Sequence, residues 1–178
     1  CAHRCLIGPG KRGLCFVREN QNGILYTLNY GLAIAANVDP IEKKPLFHFL
    51  PGTRSFSIAT AGCNFRCEFC QNWQISQVFP WEVESKEMTP QEVVDAATQS
   101  GSKSIAFTYN EPVVGYEFML DVAKLAKEKG LKTVVISNGY INPEPLKELL
   151  PYIDAYKVDL KAFREEFYQK LTGGHLAP

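Results

Sequence analysis

Three cysteines separated by three and then two residues, in Cys63-Asn64-Phe65-Arg66-Cys67-Glu68-Phe69-Cys70, are the densest concentration of metal-binding chemistry in the chain. Thiolates are natural ligands of soft iron and zinc, and such short spacers let the backbone curl around one small inorganic centre. A ferredoxin-type cluster takes four cysteine thiolates and a structural zinc site takes four Cys or His ligands, yet no further Cys or His follows Cys70 nearby. A cuboidal iron-sulfur cluster on three thiolates leaves one iron open for chemistry. A zinc site has to borrow a distant fourth ligand, and a disulfide leaves one thiol over.

A second trio, Cys1, Cys5 and Cys15, lies in a stretch rich in turn formers, with Gly8-Pro9-Gly10 and Gly13. A loop of this kind can fold over a metal that stands in for a hydrophobic core. The expectation is a second, structural metal site at the N-terminus on Cys1, Cys5 and Cys15; the alternative is three reduced thiols in a loop. Clustered cysteines without a targeting segment suit a reducing, cytoplasmic setting. His48, between Phe47 and Phe49, reads as a packed histidine rather than a ligand.

The elements that must position these residues follow from local pattern. Cys15-Phe16-Val17-Arg18 and Ile24-Leu25-Tyr26-Thr27-Leu28 flank Asn22-Gly23, a hairpin signal because both turn residues tolerate positive φ. Residues 37–54, with Pro40, Pro45 and Pro51, read as a linker. From Ser55 onward strands and helices alternate, which argues for parallel strands with crossover helices. The strands are 55–60, 104–109, 132–137 and 155–160. The helices run from Pro90, from about Pro112 to Lys129, from Pro143 to about Leu150, and from Phe163 to Leu171. Thr89, Pro90 and Glu92 form a capping box before the first of them. The chain thus divides into 1–52, a Cys-containing loop, hairpin and linker, and 53–178, an α/β unit of about four βα repeats.

Each strand ends in polar residues: the cysteine loop after the first, Thr108-Tyr109-Asn110-Glu111 after the second, Ser137-Asn138-Gly139 after the third, Asp159-Leu160-Lys161 after the fourth. The C-terminal ends of parallel strands are where α/β proteins place their reactive groups. Lys+Arg and Asp+Glu balance at 19 each, so no basic field recommends nucleic acid, and no tract is long and apolar enough to span a membrane. A small-molecule or protein substrate is the expectation.

The three-cysteine spacing, with Phe69 just before the last Cys, resembles the signature of the radical S-adenosylmethionine (SAM) superfamily. Ala61 to Asn72 is similar to the branch containing pyruvate formate-lyase-activating enzymes, and nearly the whole chain to the radical SAM enzyme of the system that co-occurs with AMMECR1-like and Memo-like proteins. The resemblance implies a partial TIM-like (β/α) barrel of six units, of which about four are present, so a truncated chain is expected. It implies a [4Fe-4S] cluster on Cys63, Cys67 and Cys70 and SAM on its open iron. Phe69 would lie by the adenine. Glu111, at the acidic end of a motif whose two glycines are here Tyr109 and Asn110, would accept from the SAM ammonium. Ser137 and Asn138 would contact ribose or carboxylate, and Asp159 and Lys161 would complete the pocket. The implied reaction is reductive cleavage of SAM to a 5'-deoxyadenosyl radical that abstracts hydrogen from a substrate, with flavodoxin or ferredoxin as electron donor. Activation of a glycyl radical enzyme is one alternative; a non-catalytic iron-sulfur or zinc protein is another.

Overall fold

The computed structural model describes residues 1–178. Strands β1 (Arg18–Gln21) and β2 (Ile24–Thr27) form the antiparallel hairpin. Its turn residues Asn22 and Gly23 take φ of 54° and 89°, as a tight two-residue turn requires. The first strand begins three residues later than the apolar run suggests, because Phe16 takes a φ of 67° and interrupts extended backbone.

Strand β3 (Leu32–Pro40) corrects the reading of 37–54 as a linker. It runs antiparallel to β4 (Arg54–Thr60), from Ala33↔Thr60 to Pro40↔Arg54. The alanine-rich run Leu32-Ala33-Ile34-Ala35-Ala36 carries little period-two contrast, and Pro40, which reads as a breaker, closes the strand where no donor is needed. Beyond it Ile41, Leu46 and Phe49 pack against Ala106 and Val134. Phe47 and His48 lie between those inward residues and are exposed, so His48 is not a packed histidine.

After β4 come α1 (Trp73–Ser76), β5 (Lys86–Glu87), α2 (Pro90–Gln99), β6 (Ser104–Phe107), α3 (Tyr116–Glu128), β7 (Lys132–Ser137), α4 (Pro143–Leu149), β8 (Ala155–Val158) and α5 (Glu165–Phe167). The last helix runs on into a π-turn over Tyr168–Thr172, in place of the single helix expected from Phe163. One sheet has the order β5-β3-β4-β6-β7-β8. Strands β4, β6, β7 and β8 are parallel and in chain order, the four expected βα repeats, while β3 and β5 add an antiparallel edge. The capping box holds: Glu92 N–H donates to Thr89 Oγ1 at 3.2 Å and Thr89 N–H to Glu92 Oε2 at 2.7 Å. No helix is long and apolar enough to cross a membrane.

The main core lies between the sheet and α2 and α3. Phe56, Ile58, Ile105, Phe107 and Val135 meet Val93, Val94 and Ala97 of α2 and Phe118, Met119 and Val122 of α3. Each such buried aliphatic or aromatic side chain contributes roughly 1.5–3 kcal/mol. This core fixes the strands, and therefore their C-terminal ends, as a rigid frame.

Asp154, just before β8, ties that frame to α3. Its carboxylate meets Lys127 at 2.7 Å and Lys132 at 3.1 Å and accepts from Thr133 N–H at 3.0 Å. Burial pushes the acid up, but Lys127, the Thr133 N–H and Lys132 outweigh it and hold the pKa at about 2, below its ordinary 3.8. A carboxylate with a depressed folded pKa contributes stability above its unfolded pKa and loses it as pH falls. Stability should therefore drop on the order of 2 kcal/mol between pH 4 and 2 from this group alone. Asp154→Asn should flatten that part of a urea-denaturation pH series; an unchanged slope would remove Asp154 as its source.

Candidate functional site

Parallel pairing brings the C-terminal ends of β4, β6, β7 and β8 to one side of the sheet. Cys63 follows β4 by three residues, Glu111 follows β6 by four, Ser137 ends β7 and Asp159 follows β8 directly. Together they frame a cavity of about 310 Å³. All three thiols of the cysteine loop line it, as do Phe69, Tyr109, Asn110, Glu111, Ser137, Asn138, Asp159 and Lys161. Cys1, Cys5 and Cys15 line a different cavity.

The cysteine loop is held at its base and along its length. Gly62 takes a φ of 100°, and a Cβ there would stand 2.7 Å from the Cys15 carbonyl oxygen and 2.8 Å from Val17 Cγ1, so glycine is required twice over. Asn110 Nδ2 donates to the carbonyls of Thr60 and, at 2.7 Å, Gly62. Arg66 N–H and Glu68 N–H donate to the carbonyls of Thr172 and Leu171 at 2.7 and 3.0 Å. Phe65 is buried against Tyr140 and Tyr168, with ring centroids 5.0 and 6.0 Å away. Cys63, Cys67 and Cys70 are half-buried and in no disulfide; Phe65 N–H donates to Cys63 Sγ at 3.3 Å and the Cys70 thiol donates to Ser76 Oγ at 3.7 Å.

Glu111 is the electrostatic centre of the cavity. It is 2% exposed, and its carboxylate accepts from Ser137 Oγ at 2.8 Å, Asn138 N–H at 2.8 Å and Val113 N–H at 3.0 Å. Burial raises its pKa; the three donors, and Lys161 across the cavity, oppose that rise and favour the anion. Burial also pushes the Cys63 thiol well up, and the Glu111 charge adds to the effect. Cys67 is raised by burial and pulled back by Lys161. A cationic centre among these thiols would reverse the local balance by stabilising thiolate and carboxylate together. Asp159 sits between Lys157 and, at 3.5 Å, Lys161, so this strand end carries one more positive than negative charge.

Several of the expected site residues spend their polar groups on the frame. Tyr109 takes a φ of 75°, the conformation glycine adopts freely, and its phenol donates to Asp39 at 2.6 Å on β3. Ser137 donates to Glu111 and accepts from Gly139 N–H; Asn138 Oδ1 accepts from Tyr140 N–H at 2.9 Å while its Nδ2 donates to Asn64 Oδ1 at 2.7 Å. Phe69, about half exposed, and the Asp159–Lys161 pair keep faces toward the cavity.

Sequence reasoning missed three frame residues. Asn64 is buried and donates to the Tyr140 carbonyl at 3.1 Å; Asn72 donates to the Tyr109 carbonyl at 2.5 Å; Asn29 donates to Thr60 Oγ1 and the Ala61 carbonyl, both at 3.0 Å. Their partners lie 31 to 76 residues away, so the only local signal is for Asn64 and Asn72, amides beside or near a cysteine, and Asn29 has none.

Residues 57–177 match the family model of the Radical SAM superfamily. The chain belongs to the Radical SAM superfamily. Its whole length is 49% identical to 53% of a Methanocaldococcus jannaschii protein described as uncharacterized. Over 69% of its length it is 28% identical to the pyruvate formate-lyase-activating enzyme of Clostridium pasteurianum, covering 52% of that protein. Over 57% of its length it is 29% identical to the 7-carboxy-7-deazaguanine synthase of Rhodopirellula baltica, covering 37% of that protein. The chain thus spans about half the length, or less, of these curated relatives.

Radical SAM membership implies a [4Fe-4S] cluster and SAM. The donor set fits: three soft thiols on one pre-shaped loop, a buried carboxylate, and a cationic strand end share one cavity. Neither these thiols nor any other three Cys, His, Asp or Glu side chains are gathered at the distances of a single bound ion. A cuboidal cluster spaces its ligand sulfurs further apart than one ion does.

Proposed function

We propose that this chain is the cluster- and SAM-binding part of a radical SAM enzyme, with Cys63, Cys67 and Cys70 as ligands of a [4Fe-4S] cluster. The observation that carries the reading is the convergence of the three thiols and buried Glu111 on one cavity at the ends of parallel strands. Held by Cys63, Cys67 and Cys70, such a cluster would supply, when reduced, the electron for reductive cleavage of SAM and so the means of hydrogen abstraction from a substrate.

The chain's own residues orient and hold. A carboxylate offers about four lone-pair sites, and three on Glu111 are taken by Ser137, Asn138 and Val113, which leaves one for the ammonium of SAM. The surplus positive charge around Asp159, with Lys161 as its source, would suit the SAM carboxylate. Phe69 offers an exposed ring for the adenine face. Ser137, Asn138, Asn110 and Tyr109 act through the frame, holding Glu111 and the cysteine loop in place. The electron donor in this reading is a flavodoxin or ferredoxin.

A second reading, activation of a glycyl radical enzyme, is supported by the likeness to the pyruvate formate-lyase-activating enzyme. The likeness to 7-carboxy-7-deazaguanine synthase extends to a protein of a different name, so the substrate stays open to both. The test is anaerobic reconstitution with iron and sulfide, followed by SAM and a strong reductant. The expected products are 5'-deoxyadenosine and methionine. A full-length protein that takes up the cluster and yields neither would overturn the enzyme reading.

A further inference from the structure

We propose that Asp39 and Lys44, a buried ion pair that lines no part of the SAM cavity, are positioning residues for the loop carrying Cys63, Cys67 and Cys70, and that they act through the side chain of Tyr109. The identity of the cluster rests on the radical SAM reading; the latch rests on contacts within the chain alone.

Asp39 stands next to the end of β3 and Lys44 in the turn beyond it. Both are buried, and Lys44 Nζ meets Asp39 Oδ2 at 2.7 Å while Lys43 Nζ takes Oδ1 at 2.8 Å. The Tyr109 phenol donates to the same Oδ2 at 2.6 Å, its ring centroid lies 4.7 Å from Lys44 Nζ, and Asn37 Nδ2 donates to the phenol oxygen at 3.3 Å. Burial pushes the Asp39 carboxyl up, but Lys43, Lys44 and the phenol outweigh it and hold its pKa well below the ordinary value, so the acceptor is an anion. A hydrogen bond to a carboxylate is the strong kind, and this one ties the loop after β6 to β3, on the far side of β4.

Residues 109–111 in turn grip the cysteine loop at both ends. The Tyr109 carbonyl accepts from Asn72 Nδ2 at 2.5 Å, two residues past Cys70, and Asn110 Nδ2 donates to the Gly62 carbonyl at 2.7 Å, one residue before Cys63. Glu111 comes next, so one anchored run sets both the loop and the buried carboxylate. Tyr109 takes a φ of 75°, where any residue with a Cβ is strained, and a strained residue persists only where its surroundings over-determine it. The bond from its phenol to Asp39 is that restraint. Glycine takes the same φ freely. If tyrosine were merely tolerated here, Tyr109→Gly would leave the loop as tight or tighter; with a latch, glycine lets it go.

The experiment follows hydrogen–deuterium exchange in the cluster-free chain. Tyr109→Phe keeps the ring and the ion pair and removes only the hydroxyl. Segment 62–76, in which the amides of Gly62, Cys70, Ile75 and Ser76 are hydrogen-bonded to one another's neighbours, should exchange about tenfold faster, while α2 and α3 keep their rates. Asp39→Ala combined with Lys44→Met should do the same from outside the cavity, Tyr109→Phe on top of it should add little, and Tyr109→Gly should move in the same direction. Unchanged exchange over 62–76 in a folded Tyr109→Phe variant overturns the proposal. So does acceleration spread equally over α2 and α3, full additivity of Tyr109→Phe with the ion-pair variant, or a tighter loop in Tyr109→Gly. Should the ion-pair variant not fold, Tyr109→Phe and Tyr109→Gly decide, since both leave the pair in place. After reconstitution with iron and sulfide, a chelator should strip iron from Tyr109→Phe about tenfold faster than from the unsubstituted chain, and equal rates overturn the proposal as well. An unsubstituted chain that takes up no cluster removes the radical SAM reading and leaves the exchange result to judge the latch.

Discussion

The Cys67→Ala variant is expected to lose reductive SAM cleavage almost completely, with 5'-deoxyadenosine formation falling at least about a thousand-fold, or about 4 kcal/mol of activation free energy. Cys67 is the middle ligand of the proposed trio and is half-buried at the cavity that also holds Glu111. Two thiols cannot replace three, since each iron without a protein or SAM ligand is open to water and oxygen. The fold should survive, because Cys67 contributes only as a partly buried neighbour of the small Phe65–Tyr140–Tyr168 cluster and lies outside the main core. The informative measurement is therefore paired: iron and sulfide content with cluster absorbance, and far-UV circular dichroism. A variant that keeps full iron and full activity would remove Cys67 from the ligand set.

Glu111→Gln should damage stability and SAM binding at once, by separable amounts. Oε1 accepts from Val113 N–H and Ser137 Oγ, and Oε2 accepts from Asn138 N–H. An amide nitrogen at either position faces a donor with a donor, inside a site that is 2% exposed. Losing a charge-assisted hydrogen bond and stranding a buried N–H costs on the order of 2–3 kcal/mol, a fall in melting temperature of roughly 5–10 °C for a chain of this size. SAM affinity should fall by about 10- to 100-fold, because the remaining acceptor site of the carboxylate is what the SAM ammonium would use. Ser137→Ala is the control: it removes one donor at a cost of about 1 kcal/mol and leaves the carboxylate charge in place. If Glu111→Gln lowers the melting temperature while SAM affinity stays unchanged, Glu111 serves the fold alone.

The residues most legible in the sequence are those whose chemistry is local. The Cys63–Cys70 spacing states its donor type directly, the Asn22-Gly23 turn states its φ angles, and the Thr89-Pro90-Glu92 box states where a helix begins. The alternation from Ser55 onward names four βα repeats, and parallel pairing then forces their polar ends together. Strand β3 was not legible, since alanine burial produces little contrast between faces and Pro40 signals a break wherever it stands. His48 went the other way: an apolar setting in sequence placed it inward, yet Leu46 and Phe49 take the inward positions and leave Phe47 and His48 outside.

What the sequence by itself determined is the inventory and the order: which thiols, which carboxylate, and on which strand ends they ride. Tertiary structure alone decided how each is used. Ser137 and Asn138 line the cavity, and in three dimensions their polar atoms also hold Glu111, Asn64 and Tyr140, which no reading of the chain shows. Tyr109 looks like an obstacle where glycine would serve, but its left-handed backbone is held by a phenol anchored 70 residues away at Asp39. A hydrogen bond has only a few partners to give, and which partner it takes depends on distances that no local pattern encodes.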